Sequence, residues 1–367
     1  SRPAISIQKS GGWTFGSPSV LMMFYRASGE LQSELTEMDE CMPHYYKITN
    51  GHGQGAETIM RAEADFMRAC FADAQIMLER AYAQIDGNGQ ENMALCCDFL
   101  AWRLSLCTSF TPRESFEQRR EALLGLHSVT WLNILQSSCA YYYALLGLPE
   151  KIPAVFREHQ LASIHFLAPG KPMMELIENQ VYLAQGEYAK VIGHSEALLG
   201  MCEAMHYALV ALHIRLQTAA AYEMLGKRET ADELLISALA AAEPDALYLP
   251  FVENYRYLKT ALTRGAGAKF AAFVRTVTPL GEDFLCRCGE KRAEGSRPAA
   301  LAGLTERESA IAALVAKCLS NREIAQKCYL SEGSVKQYVN QIYSKLHIEG
   351  DTRTKRKRLA ELFGQKT

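Results

Sequence analysis

Apolar residues recur at spacings of three and four along most of the chain, from about residue 56 to residue 285. This spacing matches the 3.6-residue period of an amphipathic α-helix. Alternating runs of β-branched and polar residues, which would indicate strands, are scarce in the same region. The pattern therefore predicts an all-α fold that is helical almost throughout residues 56–285.

Within this region, two segments share one layout: an aromatic residue, three further residues, a glycine, and then a second amphipathic pattern. They are Val181–Leu199 and Ala220–Leu239. Their glycines, Gly186 and Gly226, lie 40 positions apart, and Gly147 lies 39 positions before the first. Because a fixed period of this length is typical of stacked helical hairpins, we predict helical repeats with a glycine at each turn.

The second of these segments resembles a tetratricopeptide repeat, and Ala62–Ala81 is a looser match. The residues at that family's packing positions are Tyr222, Ala231, Leu235 and Ala238. Small and aromatic residues at helical spacing are also found in ordinary helical cores, so these residues alone do not indicate repeats. The prediction of repeats rests on the regular spacing of the glycines. The resemblance implies a sensor or scaffold region.

Two glycine-rich segments precede the repeats, Gly11–Val20 and Thr49–Thr58. Neither is a phosphate-binding loop, because the Lys-Ser/Thr pair is missing, and the first lacks the second glycine of a nucleophile elbow. We expect turns in both, the second leading into a helix that starts near Ala56. No catalytic residue is predicted, and the protein is not expected to be an enzyme.

The composition is that of an ordinary globular chain, with 49% hydrophobic and 22% charged residues over 367 positions. This length is enough for two or three domains. No run of about 18 apolar residues is present, so no membrane span is expected. The N-terminus has neither an initiating Met nor a signal-peptide core, and we expect an internal start of a longer cytoplasmic protein.

The 11 cysteines lie mostly inside helical patterns, and their odd number in a chain of this size does not fit a disulfide scaffold. We expect reduced thiols in the cytoplasm. Cys286 and Cys288 form a Cys-x-Cys pair, but nothing nearby in the sequence supplies a third and a fourth metal ligand. No metal and no cofactor is predicted.

Charge is distributed unevenly along the chain. Residues 301–367 carry 12 Lys+Arg against 7 Asp+Glu, whereas the preceding residues carry 27 against 34. A basic tail on an acidic body indicates a polyanionic partner for the tail alone. Just before the tail, charged residues mix with Gly, Ser and Pro without periodicity, which predicts a linker. Four parts are predicted: an N-terminal segment (1–55), a helical repeat region (56–285), a linker (286–302) and a basic domain (303–367).

Three helix starts follow the linker in close succession. Thr305 with Glu308, and Ser320 with Glu323, each fit a capping box. Ser331 has the side chain and the position to cap a third helix. The tail is therefore predicted to begin with three short helices.

The apolar positions of these helices indicate how they pack together. They are Ile311, Leu314 and Val315 in the first helix, Ile324, Ala325 and Cys328 in the second, and Val335, Val339, Ile342 and Leu346 in the third. The small side chain in the middle of the second helix permits the close crossing of a helix-turn-helix. The opposite face of the third helix carries amide, hydroxyl and ammonium groups suited to base edges in the major groove: Lys336, Gln337, Asn340, Gln341 and Ser344.

A polar face of this kind would also be found on a solvent-exposed helix in a small helical unit that does not bind DNA. Three observations favour DNA: the basic balance of the tail, the spacing of the two capped helices, and the basic cluster from Arg353 to Arg358. Together these features would let one domain contact bases, fix its position on the duplex and neutralise the phosphate charge.

The stretch from Leu304 to Ile348 resembles the DNA-binding domain of LuxR-type (NarL/FixJ-like) bacterial regulators nearly end to end. Four pieces carry the likeness: LTERE from Leu304, SNREIA from Ser320, SEGSVK from Ser331 and IYSKL from Ile342. The preceding residues resemble the helical repeat region of the MalT-like subgroup, whose members carry an NTPase module ahead of the repeats. That module is absent from this sequence, and we expect a fragment or a truncated form.

The resemblance implies a four-helix domain with defined contacts to duplex DNA. Base contacts are expected from Lys336, Gln337 and Asn340, flanked by Tyr338 and Gln341. Phosphate contacts are expected from Asn321, Arg322, Ser334, Lys345, Thr352 and Arg353. The last helix, from about Thr352 to Phe363, would pair two copies of the domain on paired half-sites, and RNA polymerase is a further expected partner.

We therefore predict a transcription regulator whose tail binds double-stranded DNA and whose helical repeats bind an unidentified small-molecule or protein effector. The alternative is a helical-repeat scaffold whose basic tail binds a protein and does not shift labelled duplex DNA. A phosphorelay receiver is disfavoured, because the N-terminal part lacks the alternating strand-helix pattern and the clustered acidic residues of that domain.

Overall fold

The computed structural model describes residues 6–7, 13–14, 16–49, 51–87, 89–164, 166–265, 269–295, 303–317 and 319–362. The chain divides into two compact units, Ser1–Gly289 and Glu290–Thr367. The predicted all-α fold is confirmed. Over the described ranges the sole exception is an antiparallel pair of two-residue strands, β1 (Ser6–Ile7) and β2 (Trp13–Thr14).

The helices up to the end of the N-terminal unit are, in chain order, α1 (Leu21–Phe24), α2 (Leu31–Ile48), α3 (Ala56–Met67), α4 (Phe71–Ile85), α5 (Glu91–Cys107), α6 (Phe116–Gly125), α7 (Val129–Leu146), α8 (Ala154–Arg157), α9 (Lys171–Gln185), α10 (Tyr188–Met205), α11 (Ala208–Met224), α12 (Arg228–Ala242), α13 (Leu249–Glu253), α14 (Tyr255–Gly265) and α15 (Ala271–Gly295). Short 3-10 turns lie between them at Pro149–Lys151, Leu161–Ser163, Ala168–Gly170 and Glu243–Asp245. The described helices include none that is both long and apolar enough to cross a membrane.

Two glycine turns join helices into pairs, as predicted. Gly186 follows α9 and Gly226 follows α11, with φ values of +79° and +75°. In both turns the residue after the glycine donates its backbone N–H, at 2.9 Å, to the carbonyl of the tyrosine four positions before the glycine, Tyr182 or Tyr222. This left-handed cap favours glycine, which explains the spacing between the aromatic residue and the glycine. α9 packs against α10, and α11 packs against α12.

Gly147 forms the same kind of cap but not a hairpin, so the predicted period does not extend to it. Its φ is +71°, and Leu148 donates its backbone N–H to the carbonyl of Tyr143 at 3.0 Å. The chain then runs through 3-10 turns and the one-turn helix α8 before α9 begins. Pro149 and Pro153 explain the difference, because a proline lacks the backbone N–H and its ring clashes with the preceding turn of a helix.

The positions predicted for repeat packing lie in the core of the N-terminal unit. Ala231, Leu235 and Ala238 are fully buried, and Tyr222 is half-buried. The N-terminal segment contributes to the same core, since Leu21 in α1 is also fully buried. The predicted helix start at residue 56 is confirmed.

A buried ion pair lies inside this core. Arg103 Nε donates to Glu253 Oε1 at 2.7 Å, and both side chains are 1% exposed. Tyr141 donates its hydroxyl to the same carboxylate at 2.8 Å, and the guanidinium lies 4.8 and 5.1 Å from the ring centroids of Phe66 and Phe99. Burial alone would lower the pKa of Arg103, but the carboxylate outweighs it and the pKa is raised. Helices α3, α5, α7 and α13 thus meet at one buried charge pair.

The predicted linker begins later than expected, because α15 continues through Cys286 to Gly295. Phe284 and Cys288, four positions apart, are buried against the core, and the charged residues around them hide this period in the sequence. Cys286 is exposed, since side chains two positions apart in a helix do not face the same way. The rest of the predicted linker, residues 296–302, lies outside the described residues. No disulfide joins the described cysteines.

The helices of the C-terminal unit after residue 302 are α16 (Glu306–Ala316), α17 (Asn321–Cys328), α18 (Glu332–Lys345) and α19 (Thr352–Leu362). All ten apolar positions predicted from the sequence lie in the core of this unit or pack against it. Five further described residues complete that core and were not in the predicted set: Leu304, Ala312, Tyr343, Ile348 and Leu359. Phe363, the predicted end of the last helix, lies outside the described residues.

Candidate nucleic-acid interface

Each of the three predicted caps is formed. Thr305 donates its backbone N–H to Glu308 Oε2 at 2.8 Å, and Glu308 donates its backbone N–H to Thr305 Oγ1 at 3.3 Å. Ser320 and Glu323 form the same box at 2.7 and 3.3 Å. Ser331 Oγ accepts a backbone N–H from the first turn of α18 at 3.0 Å. Because these bonds satisfy N–H groups that the helices leave unpaired, they fix where the three helices begin.

A short turn joins α17 to α18. Tyr329 adopts a left-handed conformation with φ +52°, and Leu330 donates its backbone N–H to the carbonyl of Ala325 at 2.9 Å. The side chain of Ala325 is buried and α17 packs against α18, so the predicted crossing of a helix-turn-helix is present. Tyr329 itself is 95% exposed, and sequence reasoning did not single it out.

The outer face of α18 is polar and open to solvent. Val335, Val339 and Ile342 hold the inner face in the core. The exposed residues opposite them are the predicted groove-reading set: Lys336, Gln337, Asn340, Gln341 and Ser344. Within this face, Lys336 and Asn340 lie one helical turn apart, so both can reach neighbouring base edges when the helix lies in a groove.

Tyr338, predicted as a flanking base contact, is less exposed than the residues of α18's outer face. Its ring is half-buried against the core of the unit, and the guanidinium of Arg307 lies 5.8 Å from the ring centroid. The side chain therefore joins α18 to α16 and does not belong to the exposed face. A helix places residue 338 well away from residues 336 and 340 around its axis, which the spacing of 3.6 residues per turn already implies.

Asn321 and Ser334, two predicted phosphate contacts, are engaged within the unit. Arg356 donates one Nη2 bond to Asn321 Oδ1 at 2.8 Å and one Nη1 bond to the carbonyl of Leu319 at 2.7 Å. The hydroxyl of Ser334 lies 2.8 Å from that of Ser331. Arg356 was counted in the basic cluster of the sequence, and the structure uses it to hold α19 against the start of α17.

The remaining cations near α18 divide into exposed and occupied groups. Arg322, Lys327, Arg353, Lys357 and Arg358 are exposed, as is the predicted phosphate contact Thr352. Lys355 instead lies 5.7 Å from the ring centroid of Tyr343. The free positive charge available to a phosphate backbone therefore comes from fewer residues than the sequence suggests.

Lys345 forms an ion pair that the sequence did not reveal. Its Nζ donates to Glu308 Oε2 at 2.8 Å, and the Glu308 side chain is 5% exposed. The hydrogen bond from Lys345, followed by those from Thr305, lowers the pKa of Glu308 from its ordinary value of 4.5. The predicted phosphate contact thus joins the end of α18 to the cap of α16.

We expect Lys345→Ala to lower the melting temperature of the C-terminal unit near pH 7. The pKa of Glu308 is depressed in the folded state, so the pair's stabilisation is complete above pH 4.5 and is lost as pH falls through the lowered pKa. The variant should therefore lose less stability on acidification than the unaltered chain does. Calorimetric melting between about pH 3 and pH 7 measures both effects. Lys357→Ala is the control, and equal melting curves for the two variants would contradict a structural role for Lys345.

Residues 302–356 match the model of a family described as bacterial regulatory proteins, luxR family. The C-terminal unit is a luxR-family helix-turn-helix domain. Over 67 residues the chain is also 42% identical to the transcriptional regulatory protein LnrK of Bacillus subtilis (strain 168), an alignment that covers 17% of this chain and 30% of that protein. No solved structure matches the chain. The predicted LuxR-type domain is confirmed, whereas the MalT-like subgroup and the tetratricopeptide-like repeats stay predictions.

Proposed function

We propose that this protein is a bacterial DNA-binding transcription regulator in which α18 enters the major groove. The observation that carries this proposal is the exposed polar face of α18, held outward by a buried apolar face and three formed caps. Amide and ammonium groups on such a face match the donor and acceptor pattern of base edges. The luxR-family match supports the same assignment.

The contacts divide into two roles. We expect Lys336, Gln337 and Asn340 to meet base edges, with Gln341 beside them. Arg322, Thr352 and Arg353 are exposed at neighbouring helix starts, where phosphates are the expected partners. Asn321, Ser334 and Lys345 act first within the unit, and we assign them a role in positioning.

We further propose that the paired helices of the N-terminal unit form a tetratricopeptide-like sensor that binds an effector. The hairpins around Gly186 and Gly226, 40 positions apart, support this assignment. We expect α19 to pair two copies of the domain on DNA, RNA polymerase to be a further partner, and the protein to act in the bacterial cytoplasm.

Gel shifts of the full chain on random duplex DNA at several salt concentrations test the proposal. Four of the exposed cations, Arg322, Lys336, Arg353 and Lys357, are the ones we expect to meet DNA and release a counterion each, so log affinity should fall with log salt at a slope of about -3 to -4 per bound domain. Arg322→Ala should reduce that slope by about one counterion for every sequence.

Arg228→Ala removes an exposed cation from the N-terminal unit and should leave the slope unchanged. A folded chain that produces no shift at low salt would favour the alternative, a scaffold whose basic tail binds a protein.

A further inference from the structure

A cavity of about 780 Å³ lies between α9, α10 and the chain segment that connects α8 to α9. The α9 side chains in its wall include Glu175, Glu178 and Tyr182, spaced three and four positions apart on one face. Gly193 and Ala197 face it from α10. Its volume falls in the range of small-molecule sites, and the small residues of α10 leave the space open.

Glu178 is a buried carboxylate in this wall that lacks a hydrogen-bond donor. It is 6% exposed, and the nearest basic atom, His159 Nδ1, lies 3.5 Å from Oε1, beyond hydrogen-bond range. Across the described residues, no group donates a hydrogen bond to it. Burial, and next the neighbouring Glu175, raises the pKa of Glu178 to about 7. A cation that enters the cavity would stabilise the ionised form of this buried carboxylate.

The neighbouring histidine needs a donor as well. Gln185 donates its Nε2 to the carbonyl of Arg157 at 2.9 Å, which leaves its Oε1 to accept from His159 Nε2 at 2.7 Å. In the neutral ring Nδ1 is then an acceptor, and it is buried without a hydrogen-bond partner. Burial lowers the pKa of His159, which favours the neutral form. When Glu178 is ionised, two acceptors, His159 Nδ1 and Glu178 Oε1, therefore face one another across 3.5 Å.

The walls around these two acceptors suit an ammonium group on an apolar body. The ring of His159 stacks on Tyr182 with centroids 4.0 Å apart, and Lys190 Nζ lies 5.3 Å from the centroid of the same tyrosine ring. Phe166, Leu198 and other apolar side chains form much of the remaining wall, together with His194. Two carboxylates and one ammonium, that of Lys171, line the cavity. Lys171 is exposed and two helical turns from Glu178, so it lies toward the solvent side.

We propose that this cavity binds a small primary amine with an apolar body, whose ammonium group donates to Glu178 and to His159 Nδ1. An ammonium group has three donors and no acceptor, which is what the two facing acceptors require. The ligand would be the effector of the regulator, and this assignment of its role rests on the proposed function. The binding site itself stands on the cavity and its two acceptors.

Calorimetric titration of the full chain without DNA tests the site. The probes are hexylamine, phenethylamine and tryptamine, each compared with the alcohol and the carboxylate of the same body. At least one amine should bind at least tenfold more tightly than its alcohol, and the carboxylates should not bind. If no amine binds at millimolar concentration, or if the alcohols bind equally well, the proposal is overturned.

Two variants and one control separate the site from the fold. Glu178→Gln keeps the shape of the side chain but removes its charge, and it should weaken amine binding at least tenfold. Gly193→Leu should block binding, because a Cβ there meets no atom within 4 Å and the longer side chain extends into open space. Glu229→Gln changes an exposed carboxylate outside the cavity and should bind amines normally. Unchanged amine binding in a folded Glu178→Gln chain would refute the site.

Gel shifts with and without the amine separate the two proposals. Binding of an amine together with a changed DNA affinity supports both. An amine that binds without changing DNA affinity leaves the site intact and removes its role as effector. A chain that shifts DNA but binds no amine overturns the site and leaves the proposed function standing.

Discussion

Glu253→Ala is expected to lower the free energy of unfolding of the N-terminal unit by about 3 to 5 kcal/mol, the usual result of removing one partner of a buried ion pair. The Arg103 guanidinium would lose its carboxylate in a place where 1% of its side chain is exposed and where its Nη1 already lacks a partner. Urea unfolding followed by tryptophan fluorescence measures this, because all three tryptophans lie in the N-terminal unit.

The matched control replaces both members of the pair, with Met at positions 103 and 253. Proteins often lose little stability when both members of a buried ion pair are replaced by apolar residues of similar volume. The double variant should therefore recover most of the stability that Glu253→Ala loses. Recovery will not be complete, since the hydroxyl of Tyr141 loses its acceptor in both variants. A double variant as unstable as Glu253→Ala would contradict the view that the stranded charge causes the loss.

Lys336→Ala and Asn340→Ala are each expected to weaken binding to the preferred duplex by about 1 to 3 kcal/mol, roughly 5-fold to 150-fold. Both side chains are exposed on the outer face of α18, so their removal should leave the fold unchanged. Each variant should also relax the preference at particular base pairs. Fluorescence anisotropy on the preferred duplex and on single-base variants of it measures both effects.

Gln326→Ala is the control for these two variants, because Gln326 is exposed on the adjacent helix α17 and is not assigned a base contact. It should leave sequence preference unchanged. Lys345 is unsuitable for this comparison, since its replacement also removes the partner of Glu308. If Asn340→Ala left sequence preference unchanged while Gln326→Ala altered it, the placement of α18 in the groove would be wrong.

The local parts of the fold were predictable from the sequence. The capping boxes at Thr305 and Ser320 join residues three positions apart, so the pattern that predicts them contains both partners. The inner face of α18 follows from one helical period. The glycines after Tyr182 and Tyr222 follow from the left-handed turn that ends a helix. Each of these signals lies within a few residues.

The contacts that the sequence did not reveal join residues far apart along the chain. Lys345 and Glu308 are 37 positions apart, and Arg103 and Glu253 are 150 apart. A helical period shows which face a residue occupies but not which partner another helix brings to it. Lys345 was therefore read as a free cation.

Two further points arise within single helices, at the start of the linker and at Tyr338. The start of the linker was misplaced because charged residues hide the buried spacing of Phe284 and Cys288 in α15. Tyr338 was grouped with the base-reading residues because it lies among them in sequence. Its half-buried ring shows that a residue at the margin of a helix face can be used for packing between helices.

The most direct test of the central claim, that α18 reads DNA sequence, is selection of bound duplexes from a random-sequence pool. The full chain should enrich one motif as a pair of half-sites. A chain carrying both Lys336→Ala and Asn340→Ala should still bind duplex DNA weakly through its remaining cations but should lose or change that motif. Enrichment of the same motif by both chains, or of no motif by the unaltered chain, would contradict the claim.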